Sequence, residues 1–208
     1  MIAIIDYGVG NLFSLKSSLA HLGQEAVVTA DPAVIRAADR LILPGVGAFG
    51  DAMAKLEATG LVPVLREEAA KKPLLGICLG MQLLFDKSFE YGEHPGLGLI
   101  PGEVRPIRDV IPAGLAVPHM GWNALRFPAE RPRSPIFAAL EEGEHVYFVH
   151  SYAGFACGEG LTAWTEYGAP LTAAVQRGNV YGTQFHPEKS GDVGLRILKA
   201  FCGLEGEA

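Results

Sequence analysis

In its first half the chain alternates short, wholly apolar runs with longer segments in which apolar residues recur every three or four positions. IAII at 2–5 is followed by Asp-Tyr-Gly, and then Leu12, Leu15, Leu19 and Leu22 keep helical spacing until Gly23 stops them. EAVVTA predicts a second strand, DPAVIRAA a helix with an aspartate cap and a proline at its first position, and RLILPG a third strand. One helix runs through Met53 and Leu56, another through Val64 and Leu65, and PLLGI is the next strand. Strands alternating with helices predict a parallel sheet with helices on both faces.

Beyond about residue 96 the texture changes to shorter β-rich runs: EVRPI, HVYFVHSYAGF, LTAWTEYG and LTAAVQRGNVYGTQFHPE, with turn signals such as Arg-Gly-Asn between them. A closing helix from Val193 to Cys202 carries Leu195, Leu198 and Phe201 on one side. No linker, repeat or low-complexity tract interrupts the chain, so a single domain over 1–208 is expected. Its class is α/β, a three-layer arrangement with a mostly parallel or mixed sheet between flanking helices. Active residues in such a sheet collect beyond the carboxyl ends of its strands.

Composition narrows the picture. The 208 residues, 49% of them hydrophobic, suffice for one α/β domain that buries roughly 70% of its unfolded surface. No apolar stretch reaches the 18 or so residues of a membrane span, and MIAIIDYG has no basic start, which argues against a signal peptide. A cytoplasmic protein without a membrane partner is expected. The net charge of −6, with no cluster of Lys and Arg, disfavours nucleic acid. Cys78, Cys157 and Cys202 lie too far apart for a zinc site or a disulfide scaffold, so no metal is expected. Cys157 and Cys202 read as small buried hydrophobes.

Cys78 differs. It lies in GICLG, where a strand-like run meets a helix-like one, and the form Gly-x-nucleophile-x-Gly is that of a nucleophile elbow with cysteine in the serine position. Such a turn holds the nucleophile in a strained backbone conformation, flanking glycines avoid clashes, and helix amides behind the sulfur favour the thiolate. A buried cysteine in a glycine-rich turn is the competing reading. For a base, His21, His94 and His145 stand in helix-end or loop contexts, whereas His119 and His150 suit packed, hydrogen-bonded roles. His186 ends the strand-like run YGTQFHPE, where Pro187 stops the ladder and Glu188 is placed to orient an imidazole. A Cys78, His186, Glu188 triad is the candidate.

The pair GICLGMQLLF and QFHPE, in this order, resembles the class I glutamine amidotransferases, which have a flavodoxin-like architecture. Within that family DYGVGNL, LPGVGAFGDAM, VPHMGWN and FHPEKS are similar to the glutaminase subunits of imidazole glycerol phosphate synthases, from histidine biosynthesis. The resemblance implies that Cys78 attacks the side-chain amide of glutamine, that His186 oriented by Glu188 moves the protons, and that no cofactor takes part. One oxyanion donor is the amide of Leu79, by analogy with the elbow, and the other comes from Gly45, Val46 and Gly47. Gln82 and the backbone at Ser151 and Tyr152 are expected to hold the glutamine. Asn11, Met120, Trp122 and Lys189 are matched to an interface with a TIM-barrel cyclase subunit, which receives ammonia through a tunnel in a heterodimer. Core packing is the alternative for Met120 and Trp122, and a solvated surface position for Lys189. PGVG departs from the Pro-Gly-Gly common in the superfamily, and a β-branched residue dislikes positive φ. The loop is therefore expected to rest with a carbonyl towards the oxyanion and to flip when partner and acceptor bind.

Several rivals compete with this reading. GVGAFG at 45–50 satisfies the dinucleotide pattern, but the segment after it reads as helix, so no acid ends a second strand where a ribose would need it. Asp51 stands where a phosphate-binding loop needs lysine. The same thiol machinery acting on a peptide or γ-glutamyl substrate, an inactive partner module, and the glutaminase of a pyridoxal phosphate synthase are the others. PGVG and PHMGWN weigh against the last.

Overall fold

The computed structural model describes residues 1–206. The alternating half unfolds as expected: β1 (Ile2–Ile5), α1 (Leu12–His21), β2 (Ala26–Thr29), α2 (Pro32–Ala37), β3 (Arg40–Leu43), α3 (Phe49–Ala58), α4 (Val62–Ala69), β4 (Leu74–Ile77) and α5 (Leu79–Leu83). Local chemistry sets the helix ends. Asp31 Oδ1 accepts from Ala33 N at 2.8 Å with Pro32 in the first turn of α2, and Asn11 Oδ1 accepts from Ser14 N at 3.4 Å at the start of α1. Gly60, at φ +72, separates α3 from α4.

The second half supplies β5 (Phe85–Ser88), β6 (His94–Pro95), β7 (Ile100–Pro106), β8 (His119–Ala124), β9 (His145–His150), β10 (Tyr152–Phe155), β11 (Leu161–Glu166), β12 (Pro170–Arg177), β13 (Val180–Thr183) and α6 (Gly191–Cys202). The main sheet has seven strands in the order β11-β12-β13-β4-β3-β1-β2. β13, β4, β3, β1 and β2 run parallel, and β11 and β12 join antiparallel through the Arg-Gly-Asn turn. One hydrophobic layer packs Ile35, Leu56 and Leu65 of α2, α3 and α4 on one face, and another packs Leu15, Leu19, Ile197 and Phe201 of α1 and α6 on the other. The three-layer mixed sheet predicted from periodicity is therefore the architecture found.

Two departures concern the β-rich half. HVYFVHSYAGF is not one strand, because it breaks at Ser151: β9 pairs with β8 in a two-stranded sheet, and β10 pairs with β7 in a sheet ordered β10-β7-β5-β6. The helix-like run after Cys78 is only five residues long, since Leu84 O accepts from the amides of Leu99 and Ile100 and Phe85 pairs with Ile100. Sheet pairing thus captures the chain one turn after the elbow. Among the described residues no helix is long and apolar enough to cross a membrane.

Candidate active site

Four parallel strands deliver their carboxyl ends to one cavity rim: β1 leads into Tyr7, β3 into Pro44–Gly47, β4 into Cys78, and β13 into His186. Cys78 sits at φ +55 and ψ −113, one of three non-glycine residues with positive φ among those described. Close packing holds this strained conformation. Cys78 N donates to Thr183 O at 2.7 Å, a Cβ on Gly80 would stand 1.9 Å from Leu43 O, and one on Gly76 would stand 2.6 Å from Gly80 O. The flanking glycines of GICLG are thus imposed by the approach of β3 and α5 to β4. Cys157 and Cys202 are buried free thiols away from this cavity, and burial raises both, Cys202 to about 11.

His186 Nδ1 lies 2.8 Å from Glu188 Oε1, with both side chains almost wholly buried. A carboxylate only accepts, so Nδ1 carries the hydrogen and Nε2 is left for the thiol. Burial disfavours the imidazolium, but hydrogen bonds to Cys78 and Glu188 and their negative charge outweigh it and raise His186 to about 9. Ser190 Oγ donates to His186 O at 2.7 Å and accepts from Tyr147 N at 3.0 Å, so the backbone carrying the imidazole is tied to β9. The Cys78 sulfur accepts from Gln184 Nε2 at 3.8 Å.

Cys78 and His186 open into a cavity of about 370 Å³ lined also by Val46, Gly47, Leu79, Gln82, Glu90, Ser151 and Tyr152. Gln82 spends both amide hydrogens within the protein, on Tyr152 O and on Gln184 Oε1, each at 3.0 Å, and so presents only its oxygen to a ligand. In the Pro44–Gly47 loop, Gly47 takes φ +96, whereas Val46 is 44% exposed and avoids positive φ. Tyr7 OH donates to Pro44 O at 2.7 Å, and a Cβ on Gly45 would meet Gly80 N at 2.6 Å, so the loop is anchored on both sides. Burial and the neighbouring Cys78 push the Tyr7 hydroxyl well above the ordinary tyrosine value, which keeps it a donor. A larger cleft of about 540 Å³, beside Arg131 and Arg133, is lined by neither a cysteine nor a histidine.

Met120 and Trp122 point outward from β8, 61% and 54% exposed, which excludes core packing for either. Lys189 is exposed at the cavity mouth with its Nζ 6.0 Å from the centroid of the Tyr147 ring, and Asn11 is half-buried as the α1 cap. Glu90, Tyr7 and Gln184 went unread in the sequence. Glu90 is buried on the cavity wall, and its Oε2 accepts from Phe49 N, at the start of α3, at 2.7 Å. Burial raises its carboxyl above the ordinary value, against the Phe49 hydrogen bond. That carboxylate takes the helix amide a dinucleotide phosphate would need, which disposes of the GVGAFG rival. Tyr7 lies within DYGVGNL and Gln184 opens QFHPE, but neither motif marks these positions as part of the site; Glu90 stands in no motif, and its place between two aromatic residues has no unique meaning.

Residues 3–202 match the model of the family described as glutamine amidotransferase class-I. The chain belongs to this family. Among curated relatives, the imidazole glycerol phosphate synthase subunit HisH of Lacticaseibacillus casei (strain BL23) is 54% identical over 97% of this chain and 94% of its own. The protein of the same name from Wolinella succinogenes is 50% identical over 98% of this chain and its whole length. At this identity and coverage the chain falls within the HisH group of the amidotransferases. A solved structure described as a glutamine amidotransferase superposes with a TM-score of 0.73 at 22% identity, covering 97% of this chain and all of that one. PurLQS from Thermotoga maritima gives 0.71 at 20%, covering 97% and 96%. Both share the amidotransferase fold.

Proposed function

We propose that this glutamine amidotransferase works as one domain spanning 1–208 and releases ammonia from glutamine through a thioester on Cys78, for use by a cyclase subunit with a TIM-barrel fold in histidine biosynthesis. The observation that carries this reading is the joining of a strained cysteine, a His186–Glu188 pair and a glutamine-sized cavity at the strand ends. With His186 raised to about 9, its imidazole is protonated at neutral pH and stands ready to give up a proton. The thiolate attacks the δ-carbon of glutamine, the C–N bond breaks as His186 protonates the departing nitrogen, and a γ-glutamyl thioester remains. Neutral His186 then takes a proton from water, whose oxygen displaces the sulfur to give glutamate. Leu79 N and an amide of Gly45–Gly47 serve the oxyanion, the latter after the loop turns. Gln82 Oε1 and the Ser151–Tyr152 backbone hold the substrate, and the Glu90 carboxylate receives its ammonium group.

Met120, Trp122, Lys189 and Asn11 form the docking face for the cyclase subunit. Exposed apolar side chains beside the cavity mouth support this, since ammonia released into water would be protonated and lost as a nucleophile. A cytoplasmic location fits a biosynthetic role. The test is glutamate release from glutamine by the chain alone and mixed with the cyclase subunit and its nucleotide acceptor, with Cys78→Ala as blank. Release that rises sharply only in the full mixture and vanishes in the blank is expected. Release unaffected by the partner would contradict a gated, partnered enzyme, and strong activity of the chain alone would contradict the resting loop.

A further inference from the structure

At the cavity wall, which His150 helps to line, two buried histidines face each other, and neither belongs to the triad. His119 Nδ1 and His150 Nε2 are 3.0 Å apart, at 0% and 6% exposure. The outer ends of this chain of hydrogen bonds fix its protons. His150 Nδ1 lies 2.8 Å from Tyr152 O, which only accepts, so that nitrogen bears a hydrogen. At the other end Asn123 Nδ2 donates to Glu166 O at 3.1 Å, which turns Asn123 Oδ1 towards His119 Nε2 at 2.8 Å. His119 Nε2 therefore bears a hydrogen too. The 3.0 Å contact between the rings needs one more, whereas two neutral imidazoles carry only two hydrogens in all.

We infer that His119 and His150 hold three ring protons between them, a buried imidazolium–imidazole couple bearing one positive charge that positions the glutamine cavity. The surroundings favour a cation on His119. Its ring is stacked between Phe148, at a centroid distance of 5.1 Å, and Tyr167, at 4.0 Å, with both planes within 23°, and the aromatic faces attract positive charge. The opposing influences are burial, which lowers His119 and takes His150, with repulsion from His119 and His186, down to about 3. The titratable groups on that side are His186, its partners Cys78 and Glu188, and Glu90 and Lys189 across the cavity. Without the third proton two lone pairs would oppose each other at 3.0 Å with no water between them, so the shared hydrogen offsets the cost of burial.

The couple acts through a single carbonyl. Tyr152 O accepts from His150 Nδ1 and from Gln82 Nε2, Gln82 also donates to Gln184, and Gln184 donates to the Cys78 sulfur. His119 and His150 are thus positioning residues: they fix the Ser151–Tyr152 peptide and, through it, the oxygen that Gln82 offers to substrate. This role rests on the proposed glutaminase reading; the proton count does not.

The test has two arms. In the full-length chain with ¹⁵N-labelled histidine, nuclear magnetic resonance at neutral pH reads each ring nitrogen directly. Three protonated nitrogens in this pair, with a strongly deshielded hydrogen correlated to both His119 Nδ1 and His150 Nε2, are expected; two protonated nitrogens and no bridging hydrogen would overturn the proposal. In the second arm His119→Phe keeps the ring stack and removes the bridge. With the cyclase subunit present, KM for glutamine should rise about tenfold, the scale of one lost hydrogen bond to a charged group. Loss of the shared proton should raise the wild-type KM at alkaline pH, and the variant should show no such rise. The inflection of kcat that reports His186 should stay. An unchanged KM and pH profile would overturn the positioning role. If the wild-type enzyme hydrolyses no glutamine, the glutaminase reading fails on its own and the nitrogen count still decides the charge of the pair.

Discussion

Gly80→Ala sets two opposite physical expectations against each other at the elbow. Within the helix Leu79–Leu83, alanine is favoured over glycine by about 1 kcal/mol, so local propensity alone predicts a more stable protein. The packing predicts the reverse. A Cβ at residue 80 would lie 1.9 Å from Leu43 O, 2.8 Å from Leu43 C and 3.1 Å from Pro44 C, all of them backbone atoms of β3 and the loop after it. An ordinary contact needs about 3.4 Å or more. No side-chain rotation relieves the overlap, so β3 or α5 must shift, and either shift disturbs Cys78 or the Pro44–Gly47 loop. Overpacking of this kind costs roughly 1–3 kcal/mol, and the size of this overlap places the gross cost at the upper end. The expected net loss is about 2 kcal/mol, or roughly 4–8 °C in the thermal midpoint of a chain this long. Glutaminase activity should fall further than stability does. Gly60→Ala is the control: Gly60 has φ +72 but nothing within 4 Å of its Cβ position, so only the backbone preference, about 1 kcal/mol, is lost and activity should persist. Denaturant unfolding with parallel glutamate assays measures both. A Gly80→Ala protein as stable and active as the wild type would refute the claim that close approach imposes the glycines of the elbow.

Other outcomes follow from the same geometry. Glu188→Gln removes the carboxylate that fixes the His186 tautomer at 2.8 Å and should lower kcat by roughly 10⁴, the scale of equivalent losses in other triads, with little change in glutamine KM. The raised value of His186 links stability to pH. Because its folded value, about 9, exceeds the unfolded value of about 6.5, its contribution is fully present below pH 6.5 and is lost as pH rises through 9. The loss is on the order of 3 kcal/mol and should be much smaller in Cys78→Ala; unfolding free energies that are flat from pH 6.5 to 9.5 in the wild type would contradict it. Tyr7→Phe leaves Pro44 O without its 2.7 Å donor and should cost about 1–2 kcal/mol in denaturant unfolding. Its glutaminase activity should change as well, since the anchored loop is the one assigned to the oxyanion.

The parallel half of the fold was legible because each of its elements is specified within a few residues. Leu15 and Leu19 bury one face of α1, Asp31 and Pro32 start α2, and the buried apolar runs of β1, β3 and β4 suit strands covered on both sides. The β-rich half was less so, because strand pairing depends on distant partners. Nothing local tells Val149 that it will pair with Met120, or Tyr152 that it will pair with Pro106, so the break at Ser151 was invisible. Hydrophobicity alone also left Met120 and Trp122 open between core and surface, and only the placement of β8 at the margin of the molecule exposes them. The cysteine, the histidine and the flanking glycines could be read because the elbow demands residue types at fixed spacing. Glu90 could not, since its carboxylate reaches Phe49, 41 residues away, only after both sheets have formed.

The most direct measurement is a single-turnover reaction of the full complex with glutamine labelled in its γ-carbonyl carbon, quenched in acid and digested for mass spectrometry. The account predicts one labelled peptide, containing Cys78, whose label is discharged as glutamate on the timescale of turnover and is absent in Cys78→Ala. Label carried elsewhere, or glutamate formed by Cys78→Ala at the wild-type rate, would contradict it.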